Sequence, residues 1–438
     1  MGERAPPARK ILVVIMDGLG DLPIPSLEGQ TPLEAAATPV FDDWAAQGRC
    51  GLVDPIEPGT TVETHAGSAA LMGLTGAQAA GLARGPIEAA GAGLDLVAGD
   101  IALRCNFATL AGEGDALSVT DRRAGRILEG MDDLAAAVNA IAPHDGITTF
   151  LQPLSQHRGV LRMSGPGLSD AVTDTDPWDG SAPQTLRWSR PQRAGDEAAE
   201  RTAKALNRFL RQAHEVLAVH PLNAQRRARG LPEASGLLTR GAGMVHPLHG
   251  LIEALGLRGA VVAGDRTMLG LGAMLGFTPF EHAAFTGLLD TDLDRKVSVA
   301  AEALREHDIV WLHLKGTDIA AHDRQPEAKR DYIERVDVAL GALESADLVI
   351  GVTADHTTDS NTGRHTADPV PALVHVPGGR PDDVKAFGER ACQGGGLGRV
   401  RASQFLRILL RAGGAPLESS SERDGPPPAP ESLTDATR

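Results

Sequence analysis

Six residues have the clearest capacity for chemistry: Asp17, Asp318, His322, Asp355, His356 and His365. Most stand where an apolar run stops, in ILVVIMDGLGD, WLHLKGTDIAAHD and LVIGVTADH, and the last stands in GRHTADPVP. Three carboxylates and three imidazoles suit two divalent metals about 4 Å apart. Such a pair binds a tetrahedral phosphoryl or phosphonyl group and stabilises both the attacking and the leaving oxygen. Asp318 and His322 are four residues apart, so a helical or turn backbone puts both on one side. Taken singly, each residue reads as a turn, a surface pair or a helix cap. The set as a whole argues for ligands.

The elements that must carry these residues alternate. ILVVIM, IVWLHL and LVIGVTA read as buried parallel strands, while TPLEAAATPVFDDWAAQG, KVSVAAEALREHD and RDYIERVDVALGALESA have helical spacing. THAGSAALMGL reads as a loop feeding a short helix. Strands alternating with helices imply an α/β fold with a parallel sheet and ligands at the C-terminal strand ends. The stretch 79–284 differs. GAGLDLVAGDIALRCNFATL and GVLRMSGPGL look like short strands, and DEAAERTAKALNRFLRQAHEVL is a long helix. It is expected to be a second α/β domain inserted into a core made of 1–78 and 285–415. The polar, Pro-rich 416–438 reads as a disordered tail. GLGLGAMLG lacks the GxGxxG spacing and reads as helix packing.

A chain of 438 residues favours two domains, and 42% hydrophobic residues allow a sizeable interior. A net charge of −15 argues against nucleic-acid binding. Three cysteines without CxxC spacing fit a reduced, cytoplasmic protein. No apolar run approaches the ~18 residues of a membrane span. The sequence carries no signal for an oligomeric state.

MDGLGD, TPLEAA, GLVDPI, RGPIEAAGAG, GDIALRCNFAT, DRRAGRI, HRGV, DTDP, KGTD, TADH and HTADPVP occur in one order. Together they make roughly 8–412 resemble the archaeal-type cofactor-independent phosphoglycerate mutases of the alkaline phosphatase superfamily. The resemblance implies an alkaline-phosphatase-like core with a parallel-rich sheet flanked by helices, plus the insert. It also implies one metal site of Asp318, His322 and His365, and another of Asp17, Asp355 and His356 completed by the nucleophile. Manganese or zinc suits the histidine content better than magnesium alone. Arg122 and Arg126 look like clamps on the substrate's phosphate and carboxylate, with His157 and Arg158 as similar candidates.

Three departures from the family pattern cluster around substrate and chemistry. Where the mutases have a serine in GSDTAHLALLGY, this chain reads ETHAGSAALMGL, so the nucleophile becomes Thr64 and the next residue His65. A threonine hydroxyl beside a divalent cation can ionise near neutral pH, and a following helix offers N–H groups to phosphate oxygens. Its bland reading is a helix N-cap. Ser68 requires an alignment gap. His65 is a candidate general acid or phosphate donor. A lysine-glycine pair of the family is Leu269 and Gly270 here, with Arg266 as a possible replacement cation, and Phe285 replaces a small residue. The expected activity is a two-metal phosphotransfer on a glycerate-like substrate through a phospho-threonine. The alternatives are a phosphonate or phosphodiester transferase, for example phosphonoformyl transfer from a CMP ester to phosphoglycerate, a kinase-like transfer from ATP, and a metal-bound non-catalytic binding protein.

Overall fold

The computed structural model describes residues 7–154, 156–177, 184–244, 248–343 and 347–417; the segment expected to be a tail lies almost wholly outside them. The chain divides into two compact units, one of residues 1–81 with 249–438 and the other of 82–248. Each is mixed α/β.

The first unit is built on an eight-stranded sheet. Its strands run in the order Thr278–Phe280, Gly259–Val262, Ile309–Leu314, Ile11–Met16, Val349–Thr353, Val370–His375, Arg49–Asp54, Gly398–Arg401. Neighbours are parallel except at Val370–His375, which is antiparallel to both of its partners. The three central strands are buried along their whole length, as continuous apolar runs covered on both faces require. Met16 pairs with Leu314 and Ile15 with Thr353, so the three C-terminal ends finish side by side. This register brings Asp17, Asp318 and Asp355 within reach of one another.

The insert ends earlier than the sequence suggested. Gly259–Val262 and Thr278–Phe280 are edge strands of the large sheet, so the return to the core falls at 249 rather than 285. TPLEAAATPVFDDWAAQG is two helices, Pro32–Ala35 and Pro39–Gln47, because Pro39 disfavours helical backbone at Thr38. Thr31 and Glu34 form a reciprocal cap on the first. The glycine-rich 266–274 is a helix, as expected, with Gly272 pressed on Val261. Tyr332 is 1% exposed and its ring lies against Gly316.

The second unit is an antiparallel sheet ordered Thr148–Pro153, Arg158–Ser164, Ile101–Ala111, Ser118–Asp121, Gln184–Thr185, with Gly236–Met244 also on Ile101–Ala111. The first predicted strand starts only at Ile101, since the residues before it finish a helix and a turn. Helices Met131–Asn139 and Glu197–Ala218 supply Leu134, Val138, Leu206, Phe209 and Leu210 to its core. The three cysteines are free and buried. No described helix is long and apolar enough to cross a membrane.

Candidate active site at the strand ends

Asp17 directly follows Ile11–Met16. Gly18 comes next at φ +63°, where a Cβ would meet Thr358 Oγ1 at 2.5 Å and Asp318 Oδ1 at 2.9 Å. The tight turn therefore needs glycine. Gly18 N donates to Asp355 Oδ1 at 3.1 Å, and Ser68 Oγ donates to Asp355 Oδ2 at 3.2 Å. Ser68 is wholly buried and orients a carboxylate. Asp318 and His322 share the helix Gly316–His322. Asp355 and His356 precede a short hairpin, Thr357–Asp359 with Arg364–Thr366, in which Thr358 pairs with His365. That hairpin, rather than a helix cap, brings His365 back to the site.

Two groups of side chains here could each hold a metal ion: Asp318, His322 and His365, and Asp17, Asp355 and His356. Within each, the candidate ligand atoms lie within 4.8 Å of one another. The donor chemistry fits a cation in detail. His322 Nδ1 faces Gly363 O at 2.9 Å and His365 Nδ1 faces Val62 O at 2.9 Å, so each ring carries its proton there. Their Nε2 atoms then present lone pairs, 3.1 Å apart and 3.2 and 3.5 Å from Asp318 Oδ1. Backbone contacts that fix a tautomer in this way are typical of metal-binding histidines. In the other group His356 Nδ1 meets Thr358 Oγ1 at 3.0 Å, and that hydroxyl donates to Asp318 Oδ1 at 2.9 Å. His356 Nε2 faces Asp17 Oδ1 at 3.2 Å and Asp355 Oδ2 at 3.7 Å. Asp17 Oδ1 is buried without a hydrogen-bond donor.

Charge gives the same answer. Burial alone would lower the His356 pKa, but Asp355, Asp17 and Asp318 push it up to about 9. Burial raises the Asp355 carboxyl, and Asp17 raises it further. Surplus negative charge in a buried site calls for cations.

Lys315 was not singled out from the sequence. Its Nζ donates to Asp17 Oδ2 at 2.7 Å, Asp318 Oδ2 at 2.8 Å and Thr64 Oγ1 at 3.3 Å. Burial opposes its charge, but Asp17, Asp318, Asp265 and Asp355 hold it well above the usual lysine pKa. The KGTD motif was its signal, read only as a family marker. His313, inside WLHL, was also passed over; its Nε2 lies 3.0 Å from Asp17 Oδ2. A third omission is Lys329, wholly buried, whose Nζ donates to Asp21 Oδ2 at 2.8 Å, Gly20 O at 3.1 Å and Thr358 O at 3.2 Å. It ties the first loop to the hairpin.

Thr64 opens the helix Thr64–Leu71; Glu63, not Thr64, occupies the N-cap. Its Oγ1 is 3.2 Å from His356 Nε2. His65 is half-buried one position along and is not among the six converging side chains. Leu269 is buried, and the Arg266 guanidinium meets Glu281 at 3.4 Å on the surface.

Arg122, Arg126, His157 and Arg158 all lie in the second unit. Arg122 is held by Asp176 through two hydrogen bonds of 2.7 and 2.9 Å. Ala124, Gly125 and Arg126 run at φ +45°, +63° and +53°, a rare succession for non-glycine residues. His157 is buried. That burial, together with the charges of Arg158, Arg123, Arg104 and Arg126, pushes its pKa down to about 4.

A model of the 2,3-bisphosphoglycerate-independent phosphoglycerate mutase family matches residues 45–223. The mutase of that name from Methanopyrus kandleri is 40% identical over 92% of this chain and 96% of its own length. The one from Methanoculleus marisnigri is also 40% identical, over 92% and 97%. The chain belongs to this family. It is accordingly an enzyme of the phosphoglycerate mutase type. A solved Pyrococcus horikoshii protein superposes with a TM-score of 0.79 at 33% identity, covering 94% of this chain and 99% of that one. The cofactor-independent phosphoglycerate mutase of Thermoplasma acidophilum does so at 0.66 and 30%, over 92% and 100%.

Proposed function

We propose that this enzyme interconverts 3- and 2-phosphoglycerate by two in-line transfers through a phosphorylated Thr64. Thr64 Oγ attacks phosphorus, the substrate oxygen leaves with a proton, and glycerate remains bound. The second hydroxyl of glycerate then attacks the phospho-threonine and restores the free side chain. The observation that carries the reading is the position of Thr64 Oγ1, beside both Lys315 Nζ and His356 Nε2. Two divalent ions, held by Asp318, His322 and His365 and by Asp17, Asp355 and His356, would favour ionisation of the hydroxyl and neutralise phosphoryl oxygens. Lys315 adds a fixed positive charge, and Thr64 sits at a helix N-terminus that favours anions. Arg122, Arg126, His157 and Arg158 would fix the rest of the substrate, which keeps glycerate in place between the transfers.

Thr64 favours one further reading, transfer of a phosphonyl group from a nucleotide ester, because it changes the group that would attack phosphorus and leaves the arginines in place. Mass spectrometry of the manganese-loaded protein decides between them. An adduct on Thr64 after incubation with 3-phosphoglycerate, absent in Thr64→Ala, supports the mutase. An adduct formed only with CMP-phosphonoformate moves the assignment to phosphonyl transfer. No adduct with either removes the covalent route.

A further inference from the structure

His313 stands in the central strand Ile309–Leu314, wholly buried among apolar residues. A polar ring at such a position is costly unless it is paired. The neighbouring strand Gly259–Val262 pairs only as far as Leu312, so the His313 carbonyl would be left without a partner on that side. Lys296, also wholly buried, supplies one: its Nζ donates to His313 O at 2.9 Å, with the Phe285 ring centroid 5.6 Å from the same ammonium. Two residues earlier, on the same face of the sheet, Trp311 Nε1 donates at 3.1 Å to Leu71 O, in the helix that Thr64 opens. The strand end is thus pinned, and the imidazole with it. Its Nε2 lies 3.0 Å from Asp17 Oδ2, and its Nδ1 is buried with no partner. A carboxylate only accepts, so the ring carries its proton on Nε2.

We infer that His313 is a positioning residue for the metal group of Asp17, Asp355 and His356: it holds Asp17 Oδ2 by a hydrogen bond and so leaves Oδ1 as the oxygen presented to the ion. Oδ2 also accepts from Lys315 at 2.7 Å, whereas Oδ1 has no donor and faces His356 Nε2 at 3.2 Å. The two donors differ in kind. Lys315 is shared with Asp318 and Thr64. His313 gives its one N–H to Asp17 from within a strand. The other ligand group owes its orientation to different contacts: Thr358 on Asp318, Gly363 on His322 and Val62 on His365. His313 therefore acts on one group and not on the other. The inference rests on the reading of two divalent ions at the strand ends.

The test titrates manganese into the full chain, first stripped with a chelator, and follows both ions by calorimetry. His313→Leu should weaken one ion by about tenfold or more and leave the other largely unchanged, with circular dichroism confirming the fold. His313→Gln, whose amide N–H reaches the same oxygen, should recover most of the loss. Should His313→Leu not fold, His313→Gln and NMR of the wild type carry the test: the His313 proton should stand on Nε2 in both chelated and zinc-loaded protein. A proton on Nδ1, unchanged manganese binding in a folded His313→Leu, or equal weakening of both ions would overturn the inference; the last of these marks a merely structural residue. A wild type that takes up no manganese loses the two-metal reading as well. Two ions bound alike by the wild type and His313→Leu remove only this role.

Discussion

Two buried histidines, one in each unit, have been driven in opposite directions. His356 lies among carboxylates and is pushed up to about 9. His157 lies among guanidiniums and is pushed down to about 4. Burial lowers the pKa of both, so the sign of the neighbouring charge separates them. Each region is an unfinished electrostatic construction. The strand-end site has carboxylates and imidazole lone pairs in excess of its cations. The insert face has guanidinium donors in excess of its acids. One calls for metal ions and the other for an anion, as the proposed two-metal transfer on a small phosphorylated acid requires.

The difference can be broken most severely at Thr64. Thr64→Ala is expected to reduce manganese-dependent turnover of 3-phosphoglycerate by at least about 10³-fold, while calorimetric binding of the same ligand to metal-free protein is retained. Loss of both together would mean that the two regions are not separable in this way. Next in size is the contrast between two lysines of the first unit. Lys329→Met removes the partner of the wholly buried Asp21, which should cost about 3–5 kcal/mol in denaturant unfolding. Lys315→Met should cost metal-free protein an amount toward the lower end of ~3–5 kcal/mol. Here, however, added Mn²⁺ should recover most of the loss, because the ions supply charge to the same Asp17 and Asp318. A Lys329 defect that manganese also repaired would contradict the distinct roles of the two lysines. Gly18→Ala, with a Cβ 2.5 Å from Thr358 Oγ1, should lower manganese affinity by about tenfold or more while leaving far-UV circular dichroism unchanged, since the turn carries Asp17.

How much of this was legible in the sequence follows physical lines. Continuous apolar runs identified the three central strands, because burial on both faces admits little else. Acids at their ends then had to converge, and all six candidate ligands do. Gly259–Val262 and Thr278–Phe280 were given to the insert, because a four- or three-residue strand carries too little periodicity to reveal which sheet it joins. Lys315 and Lys329 were missed for a related reason. A lysine in a charged helix or after a strand reads as solvated surface, and only tertiary structure shows carboxylates closing around it.

The finest test of the contrast titrates the two histidines themselves. In chelated protein, NMR should find His356 changing charge near pH 9 and His157 near pH 4. For His356 the folded value exceeds the unfolded one of about 6.5. Its contribution to stability is therefore complete below pH ~6.5 and is lost as pH rises through about 9. A metal needs the neutral imidazole, so manganese should bind more tightly over that same interval, and the melting-temperature gap between loaded and chelated protein should widen. For His157 the folded value is depressed, so its contribution is present above pH ~6.5 and is lost as pH falls through about 4. Ligand effects should divide likewise. Manganese abolishes the His356 titration and leaves His157 in place, whereas 3-phosphoglycerate raises the His157 value by offsetting the surrounding arginines. Movement of His157 with manganese alone would show that the two charge clusters are coupled rather than independent.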